Sequence, residues 1–315
     1  MSAPSGSSGA ASSSRSRARG PALVIAATLF WGTSATLARS VFRDRHVPPA
    51  TAVELRLLIA TALLGLWLAV RRPEALRVRR RDWGYLLVLG LVGVSAVQGT
   101  YYFAIALLGV GLAILLQYLA PALLVAVEIV RGRRVRGRVI AAVIAAVCGT
   151  ALLVTGIDRS APAIPPAGWV AGFGAAVSFA FYIVYSKRGL ARYAPETVLF
   201  YSFLVAAVLW SFITPFPKIL AAGYDRTTWW MFAALGVFST LVPFACFYAG
   251  LRHLTPTQAG VLATMEPAIA VLSAALVLGE GLAPQQWLGA ALVLGAALTA
   301  SLETPAAIEA RAAHE

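Results

Sequence analysis

Apolar stretches of about twenty residues, nearly free of charge, recur along this chain from residue 21 to residue 303. A helix that crosses ~30 Å of hydrocarbon needs about 20 residues. In lipid each backbone donor and acceptor must be satisfied inside the segment, which leaves helices and closed barrels as the spanning structures. Apolar runs of helical length, joined by short polar links, therefore select an all-α, polytopic membrane fold. The spans are expected near 21–42, 50–70, 83–107, 109–130, 138–156, 167–186, 196–215, 228–251, 256–278 and 284–303. Composition agrees: of 315 residues, 59% are hydrophobic and 12% charged, against about 25% charged in soluble domains.

The net charge of +13 does not point to nucleic acid. Phosphate-backbone binding needs one continuous basic surface, whereas here the cations fall in short runs between apolar stretches. Arg71, Arg72, Arg77, Arg79, Arg80 and Arg81 lie in the second link. Arg131, Arg133, Arg134, Arg136 and Arg138 lie in the fourth, and Lys187, Arg188 and Arg192 in the sixth. The odd-numbered links hold few: Arg43, Arg45, Arg159, Lys218 and Arg226. By the positive-inside rule this bias places both termini in the cytoplasm, in a bacterial inner (plasma) membrane. Residues 1–20, built from Ser, Gly, Ala and Arg, read as a disordered cytoplasmic tail, and 304–315 as a second tail.

A shift of 146 residues lays the chain on itself. Tyr102 meets Tyr248, Leu108 meets Leu254, Pro121 meets Pro267 and Gly149 meets Gly295. Earlier, FWGTSATLAR resembles SFAFYIVYSKR at a slightly different offset, Arg39 meeting Lys187. The unit is about five helices: a first repeat at 21–156 and a second at 167–303. Five is odd, so the second copy enters the membrane upside down. Inverted repeats of this kind are common in secondary transporters, with the site near the midplane between the halves.

Trp31-Gly32, Arg56, the run from Tyr101 to Pro121, its copy ending at Glu266-Pro267, and Gly279-Glu280 followed by Gly289 and Gly295 together resemble the EamA family of the drug/metabolite transporter superfamily. The likeness covers about residues 22–303. It implies a secondary transporter working by alternating access, which exports or exchanges an amino acid, a nucleobase-like compound or a drug-like solute. Two departures separate the halves. Arg133-Arg134 stand where the second repeat has Gly279-Glu280, and Tyr201 stands where the first has Arg56.

Ionisable groups inside a span are costly unless paired or hydrated, which makes them candidates for function. Arg56 has two roles open to it: attracting a carboxylate or phosphate on the solute, or pairing with Glu54 or a helix end. Glu266 either exchanges a proton, which would make protons the coupling ion, or hydrogen-bonds a neighbouring helix. Glu128 reads as an interfacial ion pair with Arg131. Pro121 and Pro267 each remove a backbone donor and free a carbonyl, either lining a cavity or only kinking a helix. Trp31, Gln98, Tyr102, Gln117, Tyr182, Tyr201 and Tyr248 complete the expected cavity lining, with Gln258 and Thr264 beside them. A Gln inside a span has to find hydrogen-bond partners.

Catalytic chemistry is not visible in the sequence. His46, His253 and His314 lack ligand spacing to any Cys or carboxylate, and Cys148 and Cys246 read as small core residues. GVGLAI and GFGAAV lack the third glycine of a dinucleotide fingerprint. No cofactor is expected; the partners are a small-molecule substrate and the lipid bilayer. A non-transporting scaffold or receptor, and an enzyme acting on lipid-linked substrates, are the competing readings.

Overall fold

The computed structural model describes residues 8–154, 165–278 and 281–302. Among them there are helices and links and no strand. Eight helices are long and apolar enough to cross a membrane. These are α2 (Pro49–Arg71), α3 (Arg80–Gly109), α4 (Gly111–Val130), α5 (Gly137–Val154), α6 (Pro166–Leu190), α7 (Pro195–Ile213), α8 (Arg226–Leu251) and α10 (Pro284–Leu302). Two further helical segments stand at the positions expected for the first and ninth spans: α1 (Ser8–Arg43) and α9 (Pro256–Ala263, continued by Met265–Leu278).

Local chemistry sets the ends. Proline, whose missing N–H costs nothing in a first turn, opens α2, α6, α7, α9 and α10. Thr255 and Gln258 close a capping box on α9, which takes Gln258 out of the expected lining; its side-chain amide also donates to the Ala300 carbonyl at 3.1 Å. The reversal between α3 and α4 is a single residue, Gly109, at φ 76° and ψ 164°, a conformation open essentially to glycine. At the N-terminus the expected tail is shorter than 1–20, because α1 is helical from Ser8.

The duplication is present in three dimensions. Helix α3 widens to π-helical turns at Leu89–Ser95, and α8 does so at Leu235–Leu241, the 146-residue equivalents. Helix α4 breaks at Tyr118, just before Pro121, and α9 breaks at the equivalent Thr264, just before Pro267. Glycine contacts repeat as well, at a shift of 146 residues, or 148 for the first helix of each repeat. A Cβ on Gly90 would lie 2.4 Å from Val205, and one on Gly236 would lie 2.6 Å from Ile59. Gly168 packs on Leu107 and Leu108, while Gly20 packs on their equivalents His253 and Leu254. Accordingly α3 lies along α6 as α8 lies along α1; α7 and α2 cover the π-helical turns of α3 and α8. The last helices of the repeats, α5 and α10, meet backbone to backbone at Gly149 and Gly289.

The outer face is apolar. Val130 is 87% exposed, Leu276 86%, Phe212 80% and Val170 73%. Such a surface would aggregate in water and is satisfied by acyl chains. Cys148 belongs to this exterior rather than to the core.

Candidate functional site

Arg56, near the start of α2, is buried and points across the repeat boundary. Its Nε donates to Thr240 Oγ1 at 2.8 Å, one Nη to Tyr102 Oη at 2.7 Å, and the other to the Ser239 carbonyl at 3.4 Å. It does not pair with Glu54, whose carboxylate instead accepts from Ser211 on α7. The π-helical turns explain Ser239 and Thr240. A widened turn leaves carbonyls without the usual i→i−4 donor, and the guanidinium takes up one of them.

Glu266 stands in the second half of α9, two residues past its break at Thr264. One oxygen accepts from Tyr118 Oη on α4 at 2.6 Å. The carboxylate lies within electrostatic reach of Arg56 and of Tyr101, yet forms no ion pair with Arg56. An acid and a base thus face one region from opposite repeats, each held by its own tyrosine.

Aromatic rings wall this region. Tyr118 meets Phe179 edge-on at 6.0 Å, and Phe179 stacks with Tyr182 at 6.2 Å. Tyr182 stacks with Phe247 at 6.1 Å and tilts against Tyr248 at 5.8 Å. Trp31 packs on Phe244 at 5.0 Å and on Phe247 at 5.7 Å. Gln98 and Gln117 are buried, and Gln98 Nε2 and Gln117 Oε1 have no protein partner among the described residues. Pro121 packs beneath Gly260 of α9, and Pro267 is buried one residue after Glu266.

Of the residues expected from sequence, Trp31, Arg56, Tyr102, Tyr182, Tyr248 and Glu266 fall into this connected set. Tyr201 does not. Its hydroxyl donates to the Leu76 carbonyl at 2.6 Å and its ring packs on Trp83, at the arginine-rich end. Nor is Tyr201 the equivalent of Arg56: the Ile59–Val205 correspondence makes that residue Ser202, whose hydroxyl lies 3.4 Å from Tyr248 Oη. Glu128 does form an ion pair, but with Arg133 at 2.9 Å rather than with Arg131. Gly279-Glu280 lie outside the described residues. Sequence reading missed Ser239 and Thr240, although two adjacent hydroxyls inside an apolar span were a visible signal.

Two further contacts are repeat-related. Asp82, at the start of α3, accepts from Arg192 at 3.1 Å and Tyr193 at 2.6 Å in the α6–α7 link. Asp225, at the start of α8, accepts from Arg45 at 2.8 Å in the α1–α2 link. Each joins the first link of one repeat to the third helix of the other. Hydrogen bonds from Thr228 hold Asp225 below the usual carboxylate range, Arg45 adding to them. Burial raises the Tyr193 phenol, and its bond to Asp82 adds to this, so it remains a donor at neutral pH.

A duplicated, lipid-embedded helical bundle with an acid and a base converging from opposite repeats defines a membrane transporter. The chain matches the EamA-like transporter family twice, over residues 18–155 and 166–302, and it belongs to that family, whose members are transporters rather than enzymes. It is 30% identical to the threonine/homoserine exporter RhtA of Escherichia coli, over 81% of each chain. It is 26% identical to the uncharacterised inner membrane transporter YicL of Salmonella typhimurium, over 89% of this chain and 94% of that one. A chain of known crystal structure shares the fold, with a TM-score of 0.75 and 24% identity over 90% of this chain and 96% of that one. The protein is therefore a multi-pass membrane transporter of a small molecule.

Proposed function

We propose that the chain is a secondary exporter that moves a small metabolite by alternating access through ten spans, arranged as two inverted five-helix repeats (21–156 and 167–303). Both termini lie in the cytoplasm, and the membrane is the bacterial inner membrane. The observation that carries this reading is Arg56: a buried cation held by groups of both repeats, opposite a carboxylate with which it does not pair. Removing an unpaired ion from water costs several kcal/mol, a cost offset when a solute's anionic group arrives. Gln98 and Gln117, with polar atoms left over, offer it further hydrogen bonds. Glu266, beside its break, is the candidate proton carrier.

The two repeat-related contacts supply gates. With inverted repeats, Asp82–Arg192/Tyr193 closes one end of the pathway and Asp225–Arg45 the other; alternating access requires that they open in turn. The solute is drawn from the chemistry of the relatives, with an amino acid such as threonine as first probe. Purified protein in liposomes should release loaded threonine or homoserine, with Arg56→Ala abolishing the flux. If no amino acid, nucleobase or amphiphilic drug moves under any ion or solute gradient, the proposal fails.

A further inference from the structure

We propose that the hollow between the α2–α3 link and the end of α6 binds the headgroup of an anionic phospholipid. Two adjoining cavities, of about 180 and 400 Å³, share Asp82, Arg192 and Tyr193 as walls. Arg77 and Arg79 enter from the α2–α3 link, Arg81 from the first turn of α3 and Arg188 from the end of α6.

The charge in this hollow is unbalanced. Its one carboxylate, Asp82, is occupied by Arg192 and Tyr193. Among the described residues Arg77, Arg79 and Arg81 have no acidic partner within 4.0 Å, and Arg188 only overhangs the Tyr185 ring at 5.7 Å. Guanidinium groups around a concave space match the planar fork of a phosphodiester, and basic pockets at helix ends hold anionic lipid headgroups. Orienting a protein in the membrane needs a number of cations on one side; it does not need them to converge on a hollow from two links.

The surroundings favour a lipid over a free anion. From the rim of the hollow α3 climbs with Trp83 40%, Leu87 45% and Leu91 42% exposed. This is an apolar track on which acyl chains would lie, with an aromatic side chain at headgroup depth. The inference does not depend on the transport reading, since a scaffold with this surface would bind the same lipid.

The test is thermal unfolding and native mass spectrometry of the purified full-length protein in detergent. The added probes are phosphatidylglycerol, phosphatidylethanolamine or inorganic phosphate. Phosphatidylglycerol should raise the melting temperature and stay bound, the other two should not, and R77Q/R79Q/R81Q should weaken its binding at least roughly fivefold. Arg131→Gln, on another link, should leave it unchanged. If the triple variant does not fold, wild-type binding should still weaken several-fold between about 0.05 and 0.5 M salt, as exposed charges are screened. Four results would overturn the proposal: equal binding of the two lipids, an equal effect of phosphate, undiminished binding by the triple variant, or salt-insensitive binding.

Discussion

The first and second repeats hold their helices in the same way and fill the space between them differently. Gly90 against Val205 matches Gly236 against Ile59, and the π-helical turns and the breaks at Tyr118 and Thr264 coincide. At the junction the two part company. Arg56 binds Tyr102, Thr240 and Ser239. The 146-residue equivalents of these four are Ser202, Tyr248, Val94 and Gly93, of which Ser202 and Tyr248 meet by a 3.4 Å hydroxyl contact. Glu266 likewise faces an alanine at its equivalent, Ala120. Shared packing is what the proposed alternating access would require, since both halves would then move on one frame. Charge is kept once, because two buried charged sites would double the desolvation cost while one solute needs a single anchor.

The largest expected effect breaks this comparison at its charged side. Arg56→Ala leaves Tyr102 and Thr240 without their buried partner, and losing such an interaction costs ~2–5 kcal/mol. Transport of the probe solute should fall at least roughly thirtyfold, while Ser202→Ala stays near wild type; equal losses would dissolve the asymmetry. Next, Glu266→Gln keeps an acceptor for Tyr118 but cannot exchange a proton. Efflux should persist down a solute gradient and lose its response to a pH gradient, and a retained response would remove Glu266 from coupling.

The frame can be challenged with paired overpacking. Gly90→Val and Gly236→Val should each destabilise by about 1–3 kcal/mol, read as similar drops in melting temperature. A large effect at one and none at the other would refute the equivalence. Smallest is the effect of the gates. Asp82→Asn and Asp225→Asn should alter stability least, since Asn keeps a side-chain acceptor at each position, but should expose opposite ends of the pathway to thiol reagents. Because Asp225 is held below its unfolded value, its contribution is complete at neutral pH and fades only as pH falls through that lowered value. Any transport change between about pH 5 and 8 should therefore survive in Asp225→Asn.

Much of this was legible in the residues. Span positions follow from the length of apolar runs, and the duplication from Tyr102/Tyr248 and Pro121/Pro267. Arg56 and Glu266 stood out because charge is expensive in lipid. What did not follow was partnership. Arg56 has Glu54 two residues away, but i and i+2 point to different sides of a helix, and its partners lie on α3 and α8. Tyr201 was placed with the site by an offset one residue off, enough on a helix to turn a side chain by about 100°. The adjacent hydroxyls of Ser239 and Thr240 were visible in the sequence, but widened turns leave no composition signal, so nothing there paired them with Arg56.

The claim beneath all of this is that equivalent links of the two repeats emerge on opposite faces of the membrane. Asp44→Cys in the α1–α2 link and Arg192→Cys in the α6–α7 link, each in a background lacking Cys148 and Cys246, test it directly with an impermeant thiol reagent on intact cells and on inverted vesicles. The account predicts labelling of residue 44 only from outside and of residue 192 only from the cytoplasmic side. Labelling of both from the same side would contradict it.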